Sequence, residues 1–118
     1  MKYPKLTDYP NVLHIKKQVW EIKFVSRIND ECLGLCDPLG LTIYIKKGQR
    51  PRERLSAFIH EVIHALECEY GFDMTSKVIE NKKEHDLVNS FEAALLEFLE
   101  QNGRAISILT PALRLKPS

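Results

Sequence analysis

Between Pro51 and Gly71 apolar residues recur every third or fourth position, with Leu55, Phe58, Ile59, Val62, Ile63 and Leu66 on one broad face. That spacing predicts an amphipathic helix. Pro51 suits its first turn, where a missing N–H has no intrahelical partner to lose, and Glu53 favours the positive end of the helix dipole. Gly71 supplies the stop, and the cap position falls to Arg50 or Gln49 rather than to Ser, Thr or Asp. A second stripe, Leu87, Val88, Phe91, Ala94, Leu95, Phe98 and Leu99, predicts another long helix, starting between Ser76 and Glu84 and ending at Asn102-Gly103.

Ahead of the helices the period shortens to two. Val19 to Ile28 is rich in β-branched and aromatic residues and alternates as a strand does. From Leu41 to Lys46 the odd positions are apolar, so one face is expected to pack and the other to meet solvent. Cys32 to Cys36 precedes this run across Asp37-Pro38-Leu39-Gly40, a turn with proline second and glycine last, which predicts a hairpin. The whole reads as an α+β fold, a small antiparallel sheet of three to four strands packed on the first helix and a second long helix. At 118 residues the chain is expected to form one domain, 1–118, with no internal repeat. Residues 1–11, with Pro4 and Pro10, read as an extended arm outside the core, and 104–118 as a C-terminal tail docked as an extended segment or short turn.

Seventeen basic and sixteen acidic residues leave a formal charge of +1, so no global field draws nucleic acid or an anionic membrane. Lys16 and Lys17, and Lys46, Lys47, Arg50, Arg52 and Arg54, read as solvated rims. No apolar run reaches the roughly 18 residues of a membrane span, and Met1-Lys2-Tyr3-Pro4 lacks the apolar core of a signal peptide. A cytoplasmic protein is expected. Three cysteines, an odd number, fit a reducing compartment, with Cys32, Cys36 and Cys68 read as packing thiols.

Inside the first helix stands His60-Glu61-Val62-Ile63-His64. This composition produces H-E-x-x-H by chance roughly once in a hundred chains, so the motif carries weight. Side chains four apart on a helix point about 40° from one another, which lets two imidazoles converge on one Zn2+ ion. Glu61 would then activate a water whose pKa the metal has lowered to about 7. Zinc in a hydrolase normally takes three protein ligands, so a third donor is expected from the second helix. His85, 21 residues after His64, is the first choice, and Glu92 the alternative, with Glu84 and Asp86 behind them. If His85 is the ligand, Glu92 reads as a carboxylate that orients a ligand histidine. His14 has no motif partner, and Glu67 and Glu69 are expected on the solvated side. Tyr44 and Tyr70 are available to an oxyanion, though each reads first as a packing residue.

The strand Leu41 to Ile45, the opening Pro51-Arg52-Glu53-Arg54-Leu55, the run Phe58 to Glu67 and His85-x-x-Val88-x-x-Phe91-Glu92 together resemble small zincin metallopeptidases. The likeness is to short phage and bacterial metallopeptidase-like proteins, and more distantly to SprT-like and ImmA-like domains, over roughly residues 40 to 102. It implies a minimal zincin in which one helix carries His60, Glu61 and His64 and the next supplies the third ligand. A SprT-like histidine maps onto His85, and an ImmA-like glutamate onto Glu92. The extended HExxHxxGxxH pattern is not matched, since Glu67 stands three residues after His64. The function expected is a zinc metallopeptidase acting on a peptide or protein, with Glu61 as the base and the strand edge near Thr42 to Lys46 holding an extended substrate. Two alternatives stand beside it: an inactive zincin-like protein-binding module, and a peptide-deformylase-like hydrolase in which Glu31-Cys32-Leu33 supplies a thiol.

Overall fold

Four short strands, β1 (Val12–Ile15), β2 (Gln18–Val25), β3 (Gly34–Asp37) and β4 (Thr42–Lys46), form one sheet in the order β1-β2-β4-β3. Two helices follow, α1 (Pro51–Tyr70) and α2 (Asn81–Ser107), which completes the α+β class. The computed structural model describes residues 3–72 and 81–107, the side chains of residues 30, 81–88 and 104–106 excepted.

Alternation decides which face packs. Leu13, Ile15, Trp20, Ile22, Ile43 and Ile45 point inward and meet Leu55, Phe58, Val62, Ala65 and Leu66 of α1, with Phe98 of α2 closing the core. These side chains sit on period-two positions of the strands and period-3.6 positions of the helices, so each element buries one face. Ala94 is also fully buried, while Leu99 and Ile59, at the margins of their stripes, remain exposed.

The sheet is mixed, which corrects the antiparallel expectation. β1 pairs with β2 and β3 with β4 antiparallel, but β2 and β4 run parallel, with Ile22 opposite Ile43. The reason is the path of the chain: residues 26–33 carry it past the neighbouring slot, β3 runs back along the far side, and the hairpin returns β4 into the gap. The predicted turn makes that return. Asp37 Oδ1 accepts from Gly40 N at 3.2 Å, and Leu41 takes a positive φ of 48° before β4 begins. As a result β4 is an interior strand, so the edge expected near Thr42 to Lys46 belongs to β3 instead.

The N-terminal segment is not a free arm. Tyr9 is buried, with its ring centroid 5.1 Å from that of Phe24 and 5.2 Å from that of Phe58. Arg54, assigned to a solvated rim by its charge, is buried too, donating from Nη1 to Lys47 O and from Nη2 to Pro4 O. Its aliphatic stem packs while its guanidinium finds carbonyls, as a buried cation requires.

α2 runs through Asn102 and Gly103 to Ser107 rather than ending there. Asn102 is needed elsewhere. Its Oδ1 accepts from His14 N at 2.7 Å, and its Nδ2 donates to His14 O at 2.6 Å and to Phe98 O at 2.8 Å. In the β1–β2 register Leu13 and Ile15 turn their backbone groups toward β2 and His14 turns its own outward, so one amide side chain satisfies this edge of the sheet. α1 ends as expected, with Gly71 at φ 70° and its N–H bonded to Glu67 O at 2.9 Å. The connection through Asp73, Thr75 and Ser76, and the tail beyond Ser107, lie outside the described residues.

Candidate metal centre

A cleft runs between α1 and the edge strand β3. Two adjoining cavities of about 440 and 480 Å³ make it up, and both are lined by Gly34, His60 and Glu61. Cys32, Leu33, Glu53 and Ser56 continue the first, Cys36, Pro38, His64 and Cys68 the second. His60 and Glu61 therefore sit at the waist of a groove beside a strand edge, with His64 lining its second half.

Helix geometry places the three motif side chains. Glu61 precedes Val62 on the buried side and is 6% exposed, whereas His60 is exposed and His64 half-exposed along the rim. The two Nε2 atoms are 3.1 Å apart, the rings edge to face with centroids 4.7 Å apart. One ligand atom from each of His60, Glu61 and His64 falls within 4.8 Å of the others, and among the described residues no further His, Cys, Asp or Glu joins this cluster. Two nitrogens bound tetrahedrally to zinc at about 2.0–2.1 Å stand about 3.3–3.4 Å apart, so the imidazoles fit such an ion with little movement.

Glu67 was missed by reading the helix as stripes. Its Oε1 lies 2.8 Å from His64 Nδ1 and its side chain is only 11% exposed, not on the solvated side. An ionised carboxylate there selects the tautomer with the proton on Nδ1, which leaves Nε2 its lone pair for a metal. The sequence signal was available in the i, i+3 spacing from His64.

Burial pushes the Glu61 carboxyl above the ordinary carboxylate range, and His60 and His64 draw it part of the way back. Cys36, half-buried on β3, has its thiol pushed up to about 12 by burial, with the negative charge of Glu61 the next cause. Cys32 and Cys68 are exposed on the cleft wall rather than packed in the core.

The remaining candidates separate clearly. The side chain of His85 lies outside the described residues, as do those of Glu84 and Asp86, although all three fall within α2. Glu92 is exposed and stands outside the cluster, because one residue along a helix turns it about 100° from the half-buried Phe91. Tyr44 and Tyr70 line neither cavity of the cleft. His14 lies on β1, its backbone held by Asn102.

No family model, curated protein or solved structure matches the chain. Among the described residues no helix is long and apolar enough to cross a membrane.

Proposed function

We propose that this protein is a zinc-dependent hydrolase of peptide bonds that works in the cytoplasm. The observation that carries the reading is the pair of imidazole Nε2 atoms 3.1 Å apart beside a buried glutamate, in a groove beside a strand edge. The H-E-x-x-H spacing and the resemblance to small zincins point the same way.

His60 and His64, whose Nε2 atoms face each other, would hold the ion, with His85 proposed as the third ligand, and Glu67 at His64 Nδ1 would keep that ring in the tautomer a ligand needs. A zinc ion bound there supplies Lewis acidity toward the scissile carbonyl and toward water. Glu61 would take a proton from the attacking water and pass it to the leaving amine, and burial, which raises its proton affinity, favours holding that proton between the two steps. The substrate lies extended along β3. Leu33 O accepts from Lys46 N, so in this register Leu35 bonds to β4 while Gly34 and Cys36 present their N–H and C=O groups outward. Among the described residues nothing else pairs with those groups, and a peptide would pair with them as an added strand.

A deformylase-like site needs a cysteine ligand, and no thiol joins the described cluster. An inert binding module gives no role to a carboxyl buried beside two imidazoles. Exposed thiols at Cys32 and Cys68 support a reducing compartment.

The test is metal analysis with peptide cleavage on purified protein. About one zinc per chain is expected, lost in His60→Ala and His64→Ala. Glu61→Gln should keep the zinc and lose cleavage by at least a hundredfold. Zinc binding unaffected by either histidine, or full activity in Glu61→Gln, overturns the proposal.

A further inference from the structure

We infer that Gly34 is a positioning residue for Glu61: by carrying no side chain, the edge strand leaves the slot in which the Glu61 carboxylate lies. The inference rests on the hydrolase reading of Glu61 for its consequence, but its steric core does not.

A Cβ placed on Gly34 would stand 2.9 Å from Glu61 Cγ, 2.9 Å from Oε2 and 3.3 Å from Cδ. Carbon atoms pack comfortably at about 3.5–4.0 Å, so even a methyl group collides with the reactive end of this side chain. Glu61 would have to leave this position, moving toward the cavities it lines. It is 6% exposed, held between its own helix and β3, with Val62 and Phe58 of the same helix packed into the core.

Nothing else in the fold asks for glycine here. Gly34 lies outside the left-handed region, which among the glycines only Gly71 occupies. It starts a strand, pairing with Ile45, and a glycine within a strand weakens it unless something approaches closely. Glu61 is what approaches. Among the described residues, Gly48 and Gly103 by contrast have nothing within 4 Å of an added Cβ, and Gly40 meets only Asp37 of its turn and Thr42 just after it. The contact also sets the distance between the carboxylate and the strand edge along which the substrate is proposed to lie, so a side chain at position 34 would separate base from peptide.

The experiment combines kinetics with a stability cycle on the zinc-loaded chain. Gly34→Ala is expected to retain one zinc per chain, lower kcat at least tenfold and change KM by less than about threefold. Gly34→Val should be worse, and Gly48→Ala should match the parent. Thermal unfolding is then compared for Gly34→Ala in the parent and in a Glu61→Ala background. The melting temperature should fall in the parent and fall much less, or not at all, once Glu61 is shortened. An equal fall in both backgrounds, or a kcat unchanged in Gly34→Ala, overturns the inference. Failure of the parent chain to cleave any peptide overturns the hydrolase reading alone, since the stability cycle still decides whether Gly34 makes room for Glu61.

Discussion

Glu67 holds His64 Nδ1 at 2.8 Å, and its removal frees that imidazole to rotate and to exchange tautomers. Glu67→Ala is therefore expected to weaken zinc binding about 10–100-fold in competition with a chromophoric chelator, while Glu69→Ala leaves it unchanged. Glu67→Gln should fall between, because an amide oxygen still accepts from Nδ1–H but carries no charge. Cys36 gives a second prediction. A thiol at about 12 is ionised to only about one part in ten thousand at pH 8, so iodoacetamide should label Cys32 and Cys68 well before Cys36. Its labelling rate should rise tenfold per pH unit toward pH 12, as followed by mass spectrometry. Glu67 escapes a reading by apolar stripe for one reason. An apolar stripe sorts helix positions into inside and outside, and it does not register a polar side chain that leans along the rim toward a histidine one turn away.

At the scale of elements, the two edges of the sheet are treated differently. β1 is closed by the Asn102 amide on His14, whereas β3 keeps Gly34 and Cys36 facing the groove. Asn102→Ala leaves the His14 N–H and C=O without that partner, and a loss of about 1–3 kcal/mol is expected in urea unfolding, with zinc content unchanged. Cys36→Pro removes one outward N–H that β4 does not use, so the fold should survive while KM for a peptide rises severalfold. The helices, β2 and the Asp37 to Gly40 hairpin were legible because each declares itself within a few residues, by period or by turn chemistry. β1 was not. It has four residues, and its turn is Lys16-Lys17, with Lys16 at φ 54° and none of the Asn-Gly or Asp-Gly signals of a two-residue hairpin. Its support comes from far along the chain, from Gln101 donating to Lys16 O and from Tyr70 beneath the Lys16 ammonium. Asn102-Gly103 misled for the converse reason, since a pair that commonly stops a helix is used here to reach across to a strand.

At the scale of the whole molecule, the titrating groups shifted by burial among the described residues all move in one direction. The Cys36 thiol and the Tyr9 and Tyr70 phenols hold their protons more tightly in the folded chain. Between the unfolded values near 9 to 10 and the folded ones the unfolded chain binds fewer protons, so the stability these three groups contribute is complete below about pH 9 and is lost as pH rises toward 12. Urea midpoints measured from pH 8 to 11 should decline, and Cys36→Ala should flatten part of the slope. The mixed sheet was the global feature least readable in advance, because strand order depends on where residues 26–33 lead the chain and not on the pattern within any strand. The motif was readable because four residues of helix fix the separation of His60 and His64 whatever surrounds them. What surrounds them begins with the first residues described. A chain cut back to start at Val12 would leave Phe58, two positions before His60, facing water where Tyr9 now rests, and would strip Arg54 of the Pro4 carbonyl 50 residues upstream. The turn that carries the two imidazoles would then stand on an unfinished foundation, and on the proposed reading shortening the N-terminus is expected to lower zinc affinity without removing either histidine.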